Sequence, residues 1–81
     1  MKEKLITYIQ TELLNGQHVI APDQDLLISG LVDSIGVMRL VGFIEKALET
    51  TIPPKDVTLE NFGTVNDIVH YLDSLSDPAQ A

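Results

Sequence analysis

Ser34 is the side chain best placed for chemistry. It stands between Asp33 and Ile35, where a polar loop turns into a helix. A helix N-terminus carries unpaired N–H groups and the positive end of the helix dipole. An anion attached there is stabilised, so a phosphodiester on Ser34 would sit in a favourable field without disturbing the helix. A first-turn serine also projects outward, as a modifying enzyme requires. The plain alternative is a serine that only helps to start the helix, worth about 1 kcal/mol.

Other chemistries fail on spacing. A calcium loop beginning at Asp23-Gln24-Asp25 would need glycine at its sixth position and glutamate at its twelfth; Ile28 and Ser34 stand there. His18 and His70 lie far apart, with no carboxylate or cysteine at ligand spacing, so no metal site is expected. Ser34 as a hydrolase nucleophile would need a histidine base and an oxyanion hole, and no Gly-x-Ser-x-Gly elbow is present. Gly30 to Gly36 lacks the Lys-Ser/Thr ending of a phosphate loop.

The elements that must position Ser34 are read from apolar spacing. Leu5, Ile6, Ile9 and Leu13 predict a first helix over 2–14, stopped by Asn15-Gly16. Residues 15–33 form a long connection, with Leu26, Leu27, Ile28, Leu31 and Val32 expected to pack it down. A second helix over 34–49 takes Asp33 as its N-cap, with Val37, Leu40, Val41, Ile44 and Leu48 as its core face. Pro53-Pro54 breaks the chain after it. Thr58 caps a short helix over 59–62, stopped by Gly63. Thr64 caps a last helix over 64–75, with Val65, Ile68, Val69, Leu72 and Leu75 as its stripe and a frayed tail over 76–81. No segment alternates with period two. The expected fold is all-α: one domain over 1–81, a small four-helix bundle of three longer helices and a short third.

At 100° per residue, Ile35, Met38, Arg39, Gly42, Glu45 and Lys46 fall on the second helix's outer face. Ile35 and Met38 are apolar there, within a turn and a half of Ser34. They either pack under the long loop or form a small docking patch, for which a flexible methionine is suited. Gly36 and Gly42 are unfavourable in a helix by about 1 kcal/mol each. Gly42 would leave the outer face flat, and Gly36 could let a partner or a tethered arm approach the backbone.

Composition bounds the function. Twelve acidic residues against five basic ones give a net charge of −7, which argues against nucleic acid and anionic membranes. Hydrophobic residues make up 44%, enough to fold a chain this short, although a domain of 81 residues has little structure to spare for a catalytic pocket. The chain has no cysteine, hence neither disulfides nor a thiolate metal site. No segment reads as a membrane span or signal peptide, so the expected compartment is the cytoplasm. Nothing indicates oligomerisation, and a monomer is expected.

Gly30-Leu31-Val32-Asp33-Ser34-Ile35-Gly36-Val37-Met38-Arg39-Leu40, followed by the block from Ile52 to Ile68, resembles the acyl carrier and peptidyl carrier protein superfamily. The likeness runs from the first helix to Leu75. It implies a carrier with no catalysis of its own. A phosphopantetheinyl transferase would attach 4′-phosphopantetheine from coenzyme A to Ser34, with Asp33 aiding recognition. An acyl or aminoacyl group would then ride as a thioester to partner enzymes. A loading ligase, adenylation enzyme or acyltransferase would supply it, and synthase or tailoring enzymes would receive it. Ile35, Met38 and Arg39 match positions that commonly meet such partners, and Gly42 is expected to extend that docking face by leaving it flat. Fatty-acid-type carriers have a strongly acidic second helix, whereas Arg39, Glu45, Lys46 and Glu49 are balanced here. That departure points to a specialised pathway of nonribosomal peptide or polyketide type. A fatty-acid carrier and an unmodified interaction module of the same fold are the alternatives. The start at methionine and the end soon after the last helix suggest a freestanding protein.

Overall fold

The computed structural model describes residues 1–76. These form α1 (Lys2–Tyr8) with a π-helical continuation (Ile9–Leu13), α2 (Ser34–Leu48), a 3-10 turn (Pro54–Asp56), α3 (Leu59–Phe62) and α4 (Val65–Ser76). There is no strand among the described residues, and none of their helices is long and apolar enough to cross a membrane. The all-α bundle is therefore as expected. Of the expected tail, Ser76 is the last residue of α4, and residues 77–81 lie outside the described residues.

The first helix differs from a plain α-helix over 2–14. Leu5 and Ile9 are buried one turn apart. After Ile9 the turn widens, and the Leu14 N–H bonds to the Ile9 carbonyl five residues back, at 2.9 Å. The wider turn brings Leu14 into the core and swings Leu13 aside, half-buried, toward the start of α2. Asn15 and Gly16, both left-handed (φ 56 and 72), then end the helix.

The core is aliphatic apart from Phe62 and Tyr71. Val37, Leu40, Val41 and Ile44 of α2 are buried, and so are Val65, Ile68 and Leu72 of α4. Leu48, expected in the core, is 43% exposed, and Leu75 is exposed as well. Both lie in the last turn of their helices and line one open surface cleft together with Met1 and Leu72. Glu45, expected on the solvated face, is half-buried, and its Oε2 accepts the Ile52 N–H at 2.7 Å. It thereby ties the segment after α2 to the helix, and Ile52 is buried.

The α2 helix ends one residue earlier than expected. Glu49 takes a left-handed conformation (φ 52, ψ 47), and both its N–H and that of Thr50 reach the Glu45 carbonyl. A side chain is strained there by about 1 kcal/mol, and a carboxylate meets the negative end of the helix. Glu49→Gly is expected to stabilise the domain by about 0.5–1 kcal/mol. The readout is a higher urea midpoint with an unchanged slope; a lower midpoint would contradict this account of the cap.

In α4, the Tyr71 hydroxyl donates to Asp56 Oδ2 at 2.7 Å. Burial, then this bond and the negative charge of Asp56, push the phenol well above its ordinary range. Tyr71 therefore stays protonated and fastens the 3-10 turn to α4.

Candidate functional site

The loop before α2 is a built structure. The Asp25 carboxylate accepts the N–H groups of Ile28 (3.3 Å) and Ser29 (2.6 Å), and the Ser29 hydroxyl donates to the Asp25 carbonyl at 2.7 Å. Gly30 follows with φ 80, a conformation that favours glycine. Leu26 is buried, and its N–H donates to the Gly63 carbonyl at 2.8 Å; the Val32 N–H returns to the Leu26 carbonyl at 2.9 Å. The Asn66 N–H bonds to the Pro22 carbonyl, so α4 also holds the loop. Leu26 and Val32 are buried and Leu27 and Leu31 partly so, as expected, but Ile28 is 76% exposed. The Asp25-centred turn bonds the backbone at Ile28, and the side chain points away from the core.

This loop delivers Asp33 in an extended conformation (φ −89, ψ −177). Its Oδ1 accepts the Gly36 N–H at 2.7 Å, and its carbonyl accepts the Val37 N–H at 2.9 Å. Asp33 is thus the expected cap. Ser34 is the first residue of α2 and is exposed. Because the aspartate caps the helix, the serine hydroxyl is not needed for that task.

Gly36 is buried, which the sequence reading did not anticipate. A Cβ there would lie 3.0 Å from Val32 Cγ1, 3.3 Å from Asp33 Oδ1 and 3.8 Å from Leu13 Cδ1. The chain's own loop and first helix, rather than a partner or arm, fill the space that this glycine leaves. Gly42 is exposed with nothing within 4 Å of its would-be side chain, consistent with a flat outer face.

Ile35 and Met38 are 70% and 66% exposed. They do not pack under the loop and form an apolar pair beside Ser34. Arg39 is exposed too, but anchored: its Nη1 donates to the Glu12 carbonyl at 3.4 Å, and its own carbonyl accepts the Tyr8 hydroxyl at 3.3 Å. Tyr8 in turn stacks on Phe43, with ring centroids 4.3 Å apart.

Between the loop, the end of the first helix and α2 lies a cleft of about 230 Å³, lined by Leu13, Leu31, Val32, Ile35, Gly36 and Arg39. Asp33 also borders it, so the cleft opens on both sequence neighbours of Ser34. Sequence reading missed Leu13 and Leu31 as parts of this region. Only the π turn and the Asp25–Ser29 turn bring them here, although Asp25 four residues before Ser29 is a readable turn signal. Ser34 itself lines neither this cleft nor a larger groove of about 540 Å³ that runs along α1 over Tyr8 and Phe43, but only the cleft takes in both of its sequence neighbours.

The family model for the phosphopantetheine attachment site matches residues 3–72. The chain is 32% identical to an acyl carrier protein of Syntrophobacter fumaroxidans over 72 residues, 89% of this chain and 86% of that protein. It is 32% identical to a D-alanyl carrier protein of Streptococcus suis over 69 residues, 85% of this chain and 86% of that protein. An acyl carrier protein of Onion yellows phytoplasma is 36% identical over 70 residues, 86% of this chain and 90% of that protein. Carriers of this kind work with a phosphopantetheinyl transferase and with partner enzymes. With the helical bundle around an exposed, aspartate-preceded serine, these matches establish that the chain belongs to the acyl carrier protein superfamily, whose cofactor is covalently attached 4′-phosphopantetheine.

Proposed function

We infer that Ser34 is the attachment residue and that the chain, as one carrier domain, holds an acyl or aminoacyl group for partner enzymes without catalysing a reaction itself. The observation that carries this reading is the division of labour at the start of α2. Asp33 supplies the cap, so Ser34 is exposed and its hydroxyl is available for modification. The fit to the group is good, because the N-terminal end of α2 favours a phosphodiester and the serine projects from a firmly held loop. When attached, the group supplies the thiol that carries cargo as a thioester. Asp33 would present the serine to the transferase, and the cytoplasm is the natural compartment, since coenzyme A is the donor.

The exposed face of α2 supports a specialised pathway over fatty-acid synthesis. Its charges are mixed, so docking relies less on a uniform acidic surface and more on Ile35, Met38, Arg39 and the flat surface at Gly42. A nonribosomal peptide or polyketide route fits that surface. The names of the D-alanyl carrier relatives make an aminoacyl cargo a natural one to try first. We take the working form to be a monomer.

Intact mass after incubation with coenzyme A, magnesium and a broad-specificity phosphopantetheinyl transferase tests the attachment. One phosphopantetheine increment is expected; no increment on folded protein would favour an unmodified interaction module. For docking, Met38→Glu places a charge in the apolar pair without touching the core. Modification by the same transferase is expected to slow at least tenfold with the melting curve unchanged. An unaltered rate would remove Met38 from the docking face.

A further inference from the structure

The cleft beside Ser34 has a composition that the carrier reading alone does not require. Its apolar lining comes from three sides, with Leu13 at the end of the first helix, Leu31 in the loop and Ile35 on α2. Arg39, one turn after Ile35 on α2, is the cation that lines it. Asp33 borders the same space, but its Oδ1 is occupied by the Gly36 N–H. An open cleft on a domain of charge −7 that presents a guanidinium is suited to an anion with a branched apolar neighbour.

The placement of Arg39 supports this. It lies five residues after Ser34, about 7.5 Å along the helix axis. Arg39 shares a face with Ile35, four residues earlier, and stands about 140° around the axis from Ser34. Because helical side chains lean toward the N-terminus, its guanidinium comes back toward the level of Ile35, on the side to which a phosphate on Ser34 would have to turn. The Glu12 carbonyl, at the π-helical end of the first helix, holds it there by a single long bond. A guanidinium has five N–H donors, so most remain for a ligand. The Tyr8 hydroxyl on the Arg39 carbonyl steadies the same turn of α2. The volume of about 230 Å³ corresponds to roughly seven or eight water-sized groups at about 30 Å³ each. That is room for the proximal part of the prosthetic arm only.

We propose that this cleft is a resting subsite for the phosphate end of the arm. Arg39 pairs with the phosphodiester, and the geminal dimethyl carbon beyond it packs on Leu31 and Ile35. The distal, thiol-bearing half stays in solvent. The proposal rests on Ser34 as the attachment point. It assigns Arg39 a task on this chain's own cofactor, where docking alone would leave it turned to a partner. A partner that engages Ile35 would compete for one wall of the cleft and so release the arm on docking.

The test uses the uniformly labelled holo protein. Fragment masses of the modified peptide first establish which residue bears the group. Failure of the Ser34 reading is therefore detected separately from failure of the subsite. The expected result is a set of nuclear Overhauser contacts from the arm's geminal methyls to the methyls of Leu31 and Ile35. Shift changes from apo to holo should extend to Leu13, Gly36 and the Arg39 side chain. In Arg39→Gln the methyl contacts are expected to disappear, and the arm's ³¹P and methyl resonances to move to those of a short peptide spanning Ser34 that bears the same phosphodiester-linked arm. Lys46→Gln, the same charge change elsewhere on α2, should leave the contacts in place. Raising the salt should weaken them in the wild type. Wild-type arm resonances already at the positions of the arm-bearing reference peptide, with Leu31 and Ile35 unmoved, would overturn the proposal. So would contacts that persist in Arg39→Gln.

Discussion

Ser34→Ala is expected to abolish phosphopantetheine loading completely while leaving the domain folded. The wild type should gain one increment in intact mass and the variant none. The two effects separate because the residue is exposed and the helix start does not depend on it. The Asp33 carboxylate binds the Gly36 N–H, and the Asp33 carbonyl binds the Val37 N–H, whatever side chain follows. An exposed substitution away from such bonds changes stability by less than about 0.5 kcal/mol. Asp33→Ala should instead lose about 1 kcal/mol of helix capping and, although it retains the nucleophile, be loaded more slowly, because Asp33 presents the serine to the transferase. Because the chain has no cysteine, thiol titration gives an independent count: one thiol in holo wild type, none in Ser34→Ala. An increment that persisted in Ser34→Ala would move the attachment elsewhere and remove the basis of the functional reading.

Leu26→Ala is expected to lower stability by about 2–5 kcal/mol, the usual range for emptying a fully buried leucine site. A domain of this length has on the order of 4–12 kcal/mol in total, so the loss is a large share. The site would be affected with it. Leu26 is 1% exposed, its N–H holds the Gly63 carbonyl, and its carbonyl receives Val32, which packs against Gly36 beneath the helix start. Loading of Ser34 should slow even at temperatures where the variant remains folded, because the loop presenting Asp33 and Ser34 loses its anchor. Ile28→Ala, two residues along the same apolar run, should change the urea midpoint by less than about 0.5 kcal/mol, since Ile28 is 76% exposed. Equal losses in the two variants would mean that the loop is not held as described.

Leu26 and Ile28 illustrate the limit of reading residue types. Both are aliphatic, in one uninterrupted apolar run, and nothing local separates them. Asp25 and Ser29 close a turn around the two, and the Gly63 carbonyl, 37 positions after Leu26, holds the Leu26 end of it. Glu45 gives the same lesson for polar residues. Helical periodicity assigns it to the solvated face, but the chain leaving α2 folds back and uses its carboxylate to satisfy the Ile52 N–H.

Local chemistry by itself determined the four helices, the cap at Asp33, the exposed serine after it and the apolar pair Ile35 and Met38. Each depends on interactions within a turn or two of chain, through periodic apolar spacing, a side-chain cap or a proline break. The tertiary structure alone decided three things. The first helix widens into a π turn so that Leu14 can enter the core, and Leu13 is thereby carried to Gly36. Gly36 is needed for the chain's own packing. A cleft holding Arg39 opens beside the modified position. Each involves contacts between residues far apart in sequence, such as Leu13 with Gly36 and Glu12 with Arg39, which are set by filling one small core from four helices and the loops between them. Sequence periodicity carries no information about which of several equally apolar side chains that packing will select.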